Sequence, residues 1–292
     1  MSPPWNRRRF LTTAAAAVPG LAVLPRALRA QAGPDGAARS YGETGGKHAS
    51  GTDAPVAQLP PRVVGLRTDG GNFRFDPDGL VIAAGEKVIW LNMGDFHSVT
   101  AFHPDNGKLI GGKLPLRIPR GAEPWHSGML GLTDGTQFEH TFTLEGVYDY
   151  FCQPHYLFGM VARIVVGAPH DGPGTKPLEG VPDRVKARMP ALATVVGAAR
   201  RANEWASRFN GVLYLIANGQ DGAAPARHLA GALAADERLK RRLGGATRSA
   251  AVSAATSAFV EAVASGTDYE ALVGLADAAK AALAAPGSQE QG

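Results

Sequence analysis

Residues 148–160 read Tyr148-Asp149-Tyr150-Phe151-Cys152-Gln153-Pro154-His155-Tyr156-Leu157-Phe158-Gly159-Met160. A thiol, an imidazole and a thioether therefore lie on one tight loop between two predicted strands. Upstream, His97 begins another predicted strand, after a turn-like Met93-Gly94-Asp95. Three donors from a loop and one from a separate strand predict a metal site across one end of a β-sandwich.

The types of donor in this loop indicate copper. A thiolate and two imidazoles in a trigonal plane, with a weak axial thioether, form a site that suits both oxidation states of copper. Structural zinc sites are built from several cysteines or histidines and fit this set poorly. A binuclear copper centre would need two cysteines, whereas the chain contains a single cysteine, Cys152. The sequence predicts one copper ion per chain, cycling between Cu(I) and Cu(II).

The sequence resembles the plastocyanin, pseudoazurin and halocyanin group of cupredoxins over about residues 62–167. The matching residues are His97, Cys152-Gln153-Pro154-His155 and Gly159-Met160. The resemblance implies that Cys152 is the thiolate ligand and that Met160 is the axial ligand. It implies that His97 and His155 are the imidazole ligands, and that electrons pass through His155 at an exposed edge where redox partner proteins dock.

Two positions depart from the family pattern. The residue after the first histidine is commonly Asn in this family and is Ser98 here. The hydrogen bonds that hold the cysteine loop must therefore differ, which affects the reduction potential or the stability of the site. The residue before the cysteine is Phe151, where plastocyanins have Tyr. The side docking route of plastocyanins is therefore not expected here.

Short apolar or alternating runs, separated by Gly, Pro and Asp, are typical of β-strands. The predicted strands are Val63–Arg67, Phe73–Phe75, Leu80–Ala83, Lys87–Leu91, His97–Phe102, Gln137–Thr143, Val147–Cys152 and Val161–Val166. So many short strands predict an antiparallel sandwich over 62–167, and the resemblance implies the all-β Greek-key arrangement of cupredoxins. The stretch 104–134 contains Gly111-Gly112, Pro115, Pro119 and Pro124 and is predicted to be an ordered surface loop. Loops of that length are usually functional or disordered.

A different kind of sequence follows a Pro/Gly-rich linker at residues 168–181. Ala, Leu, Arg and Val recur there at helical spacing and predict a small all-α helical domain over 182–286. The candidate helices span roughly 183–206, 208–217, 224–243, 247–265 and 268–285. No family resemblance or chemical motif assigns a function to this domain.

The first 32 residues are typical of a twin-arginine signal peptide. Arg7-Arg8-Arg9-Phe10-Leu11 precedes a weakly apolar run, and Ala30-Gln31-Ala32 fits a cleavage site. An uncleaved anchor or a disordered basic tail is the alternative. Residues 33–61 are predicted to be a flexible tether. Without the five leader arginines, 25 basic and 26 acidic residues remain, so no nucleic-acid partner is expected. The signal peptide predicts a periplasmic or extracytoplasmic location.

Three functions remain open at this point. The first is a one-electron carrier with no small-molecule substrate, for which peripheral contact with membrane redox complexes is possible. The second is a copper-binding accessory or copper-handling module of a larger redox complex. The third is a thiol enzyme in which Cys152 attacks and His97 or His155 is the base; no oxyanion or acid partner is evident for it, and no catalytic residue is assigned.

The side chains around the loop have two interpretations. Met93, Phe96, Leu157 and Phe158 form either an exposed docking patch around the second histidine or ordinary core. The remaining histidines lack ligand spacing and are interpreted as surface or satisfied side chains: His48, His103, His126, His140, His170 and His228. His103 is the doubtful one, because it lies in the same strand region as His97.

Overall fold

The computed structural model describes residues 59–133 and 135–284. The predicted signal peptide, nearly all of the predicted tether and the last residues of the chain lie outside this range. Eight strands are followed by seven helices within it, in the predicted order. The strands are β1 Val63–Asp69, β2 Asn72–Asp76, β3 Gly79–Ile82, β4 Lys87–Asn92, β5 Thr100–Ala101, β6 Gln137–Thr141, β7 Gly146–Phe151 and β8 Val161–Val166.

The strands form two four-stranded sheets that enclose an aromatic core. One sheet has the order β2-β1-β4-β6 and the other β3-β8-β7-β5. Between them lie the large side chains of the core, all nearly fully buried: Phe75, Trp90, Phe142, Tyr148 and Tyr150. Alternate residues of facing strands supply this core, as in other sandwiches. The predicted cupredoxin-type sandwich is confirmed.

The sheets are mixed rather than purely antiparallel, which corrects the sequence-based expectation. Strand β1 pairs in parallel with β4, and β3 pairs in parallel with β8. In each pair the chain crosses to the other sheet between the two strands, so the second strand returns in the same direction as the first. Local apolar runs identify strands but carry no information about this crossing.

The strand predicted at His97–Phe102 is shorter in the structure. Only Thr100–Ala101 pairs within a sheet, with β7. His97 instead pairs with Leu130: the N–H of each donates to the carbonyl of the other, at 2.9 and 2.8 Å. The long loop predicted at 104–134 therefore lies partly along the edge of the segment that carries His97, and a 3-10 helix at Pro104–Ile110 begins it.

The helices are α1 Asp183–Arg188, α2 Leu192–Val196, α3 Arg200–Ala217, α4 Ala223–Ala234, α5 Glu237–Leu243, α6 Ala246–Ala264 and α7 Tyr269–Ala284. The single helix predicted at 183–206 is wrong, because Pro190 cannot continue a helix and the residue before it is extended. The break predicted near residue 207 is also absent. Asp236 divides the helix predicted at 224–243, since its carboxylate caps α5 by accepting the N–H groups of Arg238 and Leu239 at 3.0 Å.

The helices cover the outer faces of both sheets. Val63, Ile89 and Leu91 on β1 and β4 pack against Tyr214 of α3. On the other sheet, Val165 packs against Val195 of α2. These strands are therefore buried on both faces, which explains why their sequences are continuous apolar runs rather than strict alternations.

The segment predicted as a linker is held against the sandwich by a buried ion triad. Asp149 on β7 accepts from Arg163 Nε at 2.7 Å and from Arg117 Nε at 2.9 Å. Arg117 also donates to the carbonyls of Pro173 and Gly174, each at 2.9 Å. Ionic groups satisfied in this way fix the path of the chain from the sandwich to the helices.

Within residues 59–133 and 135–284, no helix combines the length and the apolar character that crossing a bilayer requires.

Candidate metal centre

Three of the four predicted ligands converge at one end of the sandwich. The Sγ of Cys152 lies 3.7 Å from Nδ1 of His97 and 3.4 Å from Nδ1 of His155. The two Nδ1 atoms are 3.2 Å apart. Among the described residues, this is the only group of three or more His, Cys, Asp or Glu side chains that is arranged to hold a metal ion.

The loop that follows Cys152 closes on itself and brings Met160 back to the cysteine. The N–H of Cys152 donates to the carbonyl of Met160 at 3.0 Å, and the N–H of Met160 donates to that of His155 at 3.2 Å. Gly159 has a φ of 77° and leaves no room for a Cβ, which would lie 2.8 Å from Cγ of Arg188. A glycine is therefore required beside Met160. The Met160 side chain is fully buried, and its role as axial ligand stays a prediction.

A hydrogen bond orients the imidazole of His97. Its Nε2 lies 3.2 Å from Oγ1 of Thr68 on β1, while its Nδ1 faces the sulfur. A hydroxyl acceptor for Nε2–H favours the tautomer in which Nδ1 carries a lone pair. That tautomer is the one a metal ion needs.

Ser98 takes the place that the family gives to Asn, and it holds the cysteine loop. Its N–H donates to Sγ of Cys152 at 3.3 Å, and its Oγ accepts the N–H of Gln153 at 2.7 Å. The first bond is buried and the second partly buried, and both join segments more than 50 residues apart in the sequence. The hydroxyl of Ser98 thus holds the cysteine loop at the position where the family commonly has Asn.

Burial controls the protonation of the metal-free site. Desolvation raises the pKa of the Cys152 thiol to about 12, against the hydrogen bond from Ser98. Desolvation and the neighbouring His155 lower the pKa of His97 to about 4, and desolvation also lowers the pKa of His155. Near neutral pH the metal-free protein therefore holds a neutral thiol and neutral imidazoles.

The imidazole of His155 lies just beneath the surface. It is 5% exposed, and the ring of Phe73 on β2 stacks on it with centroids 3.7 Å apart and an interplanar angle of 9°. The side chain of His155 is therefore less exposed to solvent than the resemblance implied. Around it, Phe96, Leu157 and Phe158 are 40%, 69% and 53% exposed. These three residues are called the apolar patch below; Met93 is not part of it, because it packs under the helices.

The structure also places the other histidines. His103 is not at the metal centre: its Nδ1 accepts the N–H of Asp105 at 3.2 Å and caps the 3-10 helix. His140 stacks on Trp125 and His170 is exposed, while His48 lies outside the described residues. His126 bonds to Thr100, two residues from Ser98.

The sequence analysis assigned no role at the site to two residues that lie near it, Phe73 and His126. Neither has ligand spacing, and each meets the site only through pairing between distant segments. The length of the loop at 104–134 was the one available signal for His126.

The donor set fits copper. A thiol and two imidazole nitrogens within 3.7 Å of each other, with a buried thioether on the same loop, are the soft and borderline ligands of a blue-copper site. Their close approach in a dry environment also explains the shifted pKa values.

Known proteins share this part of the chain. The family model described as copper binding proteins, plastocyanin/azurin family, matches residues 63–167. Plastocyanin from Scenedesmus fuscus is 32% identical over 106 residues, covering 35% of this chain and 96% of that protein. Plastocyanin from Cucurbita pepo is 28% identical over 101 residues, covering 35% of this chain and 95% of that protein.

Solved structures resemble part of the chain. Pseudoazurin from Methylobacterium extorquens AM1 is 26% identical, with a TM-score of 0.33, and the match covers 43% of this chain and 90% of that one. The matches to the relatives and structures described here leave more than half of the chain uncovered.

Proposed function

Because this chain belongs to the plastocyanin/azurin family of copper-binding proteins, we propose that it is an exported type 1 copper protein that carries single electrons between redox partners. The observation that carries the proposal is the buried convergence of Cys152, His97 and His155 under the apolar patch. His97, Cys152 and His155 would hold the copper ion, and Met160 would supply the axial thioether.

Bound copper supplies a one-electron couple between Cu(II) and Cu(I). The protein's own residues keep the ligands in place during that change. Thr68 orients His97, Ser98 holds the sulfur and the loop, and Gly159 permits the close return of the chain to Cys152. A site fixed in this way rearranges little when an electron arrives or leaves, and small rearrangement permits fast transfer.

Docking of redox partners is proposed at the apolar patch. Phe96 and Phe158 both approach the ring of His155, with centroids at 5.7 and 6.4 Å. A partner that covers the patch would therefore come within a few ångströms of a ligand ring. Electron-transfer complexes are typically small and transient, which suits a patch of three side chains.

The alternatives receive less support from the geometry. A copper-handling module needs an open site from which the ion is exchanged, whereas His97 and Cys152 are fully buried. A thiol enzyme needs a reactive thiolate, whereas burial raises the pKa of Cys152 to about 12. Both observations favour a retained copper ion in an electron carrier.

Voltammetry and a chelator challenge together test the proposed function. The copper-loaded protein is expected to show a reversible one-electron couple and to retain its copper for hours in excess chelator. A reversible couple with rapid loss of copper would favour the copper-handling module. No reversible couple would contradict the electron carrier.

Export is tested separately, on the full-length chain. Replacing Arg8 and Arg9 together by lysine is expected to leave the protein in the cytoplasm, because twin-arginine transport requires the arginine pair. Fractionation of cells that express each form measures this. Equal periplasmic amounts of the two forms would contradict the proposed signal.

A further inference from the structure

A chain of hydrogen bonds leads away from the cysteine loop into the long surface loop. The Oγ of Ser98 lies 3.2 Å from Oγ1 of Thr100, and this hydroxyl lies 3.0 Å from Nδ1 of His126. Ser98 and Thr100 are both fully buried. The chain thus joins the N–H of Gln153, beside the cysteine, to an imidazole that is distant in sequence.

Every hydroxyl proton in this chain has an acceptor within reach. The Oγ of Ser98 already accepts the N–H of Gln153. If Ser98 donates to Thr100 and Thr100 donates to Nδ1 of His126, then each hydroxyl proton has an acceptor. In the reverse direction Nδ1–H of His126 donates to Thr100, Thr100 donates to Ser98, and the hydroxyl of Ser98 donates to Sγ of Cys152, the side-chain hydrogen bond that lowers the pKa of this thiol. In both directions each hydroxyl proton has an acceptor, so the chain joins His126 to the cysteine loop through Thr100 and Ser98.

The surface loop is built to keep His126 in this position. The N–H of Ala101 donates to the carbonyl of Trp125 at 3.0 Å, and the N–H of Ser127 donates to that of Val99 at 3.1 Å. The Oγ of Ser127 also accepts the N–H of Val99 at 2.8 Å. Bonds on both sides of His126 thus fix its backbone beside Thr100.

We propose that Thr100 and His126 are positioning residues for the copper site, acting through Ser98 on the cysteine sulfur. This inference rests on the proposed function. Donation along the chain polarises each hydroxyl and strengthens the bond that it accepts next. Ser98 is then held so that its backbone N–H stays directed at Sγ of Cys152. A hydrogen bond to the thiolate withdraws charge from it and favours Cu(I), so the intact chain raises the reduction potential.

The test compares reduction potentials of copper-loaded variants. Thr100→Val removes the hydroxyl at nearly constant shape, and His126→Phe keeps a ring without an acceptor. Each is expected to lower the potential, by up to the about 59 mV that corresponds to a tenfold change for one electron. The double variant is expected to fall no further than the lower single variant, because both break one chain.

Two controls separate positioning from general damage. Thr100→Ser restores the hydroxyl and is expected to restore the wild-type potential. His170→Gln changes an exposed histidine outside the chain and is expected to leave the potential unchanged. Wild-type potentials in both Thr100→Val and His126→Phe would overturn the proposal.

A second measurement does not depend on copper. In the metal-free protein, amide exchange at Gln153 is expected to be about tenfold faster in Thr100→Val than in wild type, as for a loss of about 1.4 kcal/mol in local stability. Unchanged exchange would also overturn the proposal. A wild-type protein that lacks the copper couple would instead overturn the proposed function, so the two failures are distinguishable.

Discussion

At the scale of single residues, the site depends on side chains that hold ligands without being ligands. Thr68 fixes the tautomer of His97, and Ser98 contacts both the sulfur and the backbone after it. The convergence of Cys152 and His155 with His97 was predictable, because the cysteine and its histidine share one short loop with a fixed spacing. Phe73 and His126 were not, since only the folded chain brings them to the site.

Ser98→Ala tests the loop contact directly. The change leaves the N–H of Gln153 without its acceptor, so we expect a loss of about 1–3 kcal/mol in the free energy of unfolding of the metal-free protein. Urea denaturation followed by tryptophan fluorescence measures it. Ser265→Ala, at an exposed helix end, is the control with little expected effect. A loss in Ser98→Ala no larger than in this control would contradict the assigned role.

Proton release on copper binding follows from the pKa values. The Cys152 thiol, with a pKa of about 12, is protonated at pH 7, whereas the imidazole of His97, with a pKa of about 4, is already neutral. Binding of Cu(II) at pH 7 should therefore release one proton, and the logarithm of the affinity should rise by about one per pH unit. As the pH falls toward 4, His97 also takes up a proton and the dependence steepens.

Calorimetric titration at pH 7 in two buffers of different ionisation enthalpy counts these protons. A value near one is expected. A value near zero would mean that the thiol is already ionised, and a value near two would mean that a histidine is charged; either result contradicts the described site.

At the scale of elements, the decisive feature is how the chain leaves the sandwich. The runs of apolar residues were sufficient to predict the strands and their order along the chain, except that the strand predicted at His97–Phe102 is reduced to Thr100–Ala101. They did not predict the parallel pairing, because the crossing between sheets depends on tertiary contacts. The helix boundaries at Pro190 and Asp236 are set by single residues, a proline that ends a helix and an aspartate that caps one, which the apolar pattern does not contain. The linker is anchored by Arg117 and Asp149, two residues that composition alone gives no reason to pair.

Asp149→Asn tests this anchor. The change leaves two buried guanidinium groups with a neutral partner, and we expect the protein to lose about 3–5 kcal/mol of stability. Glu139→Gln is a matched control, because the pair of Lys87 and Glu139 is exposed and should contribute about 0–1 kcal/mol. Thermal unfolding by circular dichroism compares them. Similar losses in both variants would show that the triad has no special structural role.

At the scale of the whole molecule, the helices and the sandwich are joined by polar contacts as well as apolar ones. Lys280 on α7 is buried, and its Nζ forms an ion pair with Asp76 on β2. The same Nζ also contacts Asn210 and Asp277. Arg67 on β1 donates to Asp277 at 2.8 Å. We propose that residues 168–181 link two separate domains, the sandwich and the helical domain.

Lys280→Ala measures the contribution of this contact. Asp76 keeps Arg74 as a neighbour at 3.4 Å, so we expect a loss of about 3 kcal/mol, at the lower end of the range for breaking a buried pair. Lys240→Ala, which breaks an exposed pair within α5, should cost less than about 1 kcal/mol. Urea unfolding gives both values. Equal and small losses would mean that the helices are held by apolar packing alone.

The central claim is that Cys152 binds copper as a thiolate, and one pair of spectra tests it most directly. Purified protein with one equivalent of Cu(II) is measured by visible absorption and by electron paramagnetic resonance, beside Cys152→Ser. We expect an intense thiolate-to-copper band and a blue-copper resonance in the wild type, both lost in the variant. A colourless wild type, or a spectrum unchanged by loss of the thiol, would contradict the account.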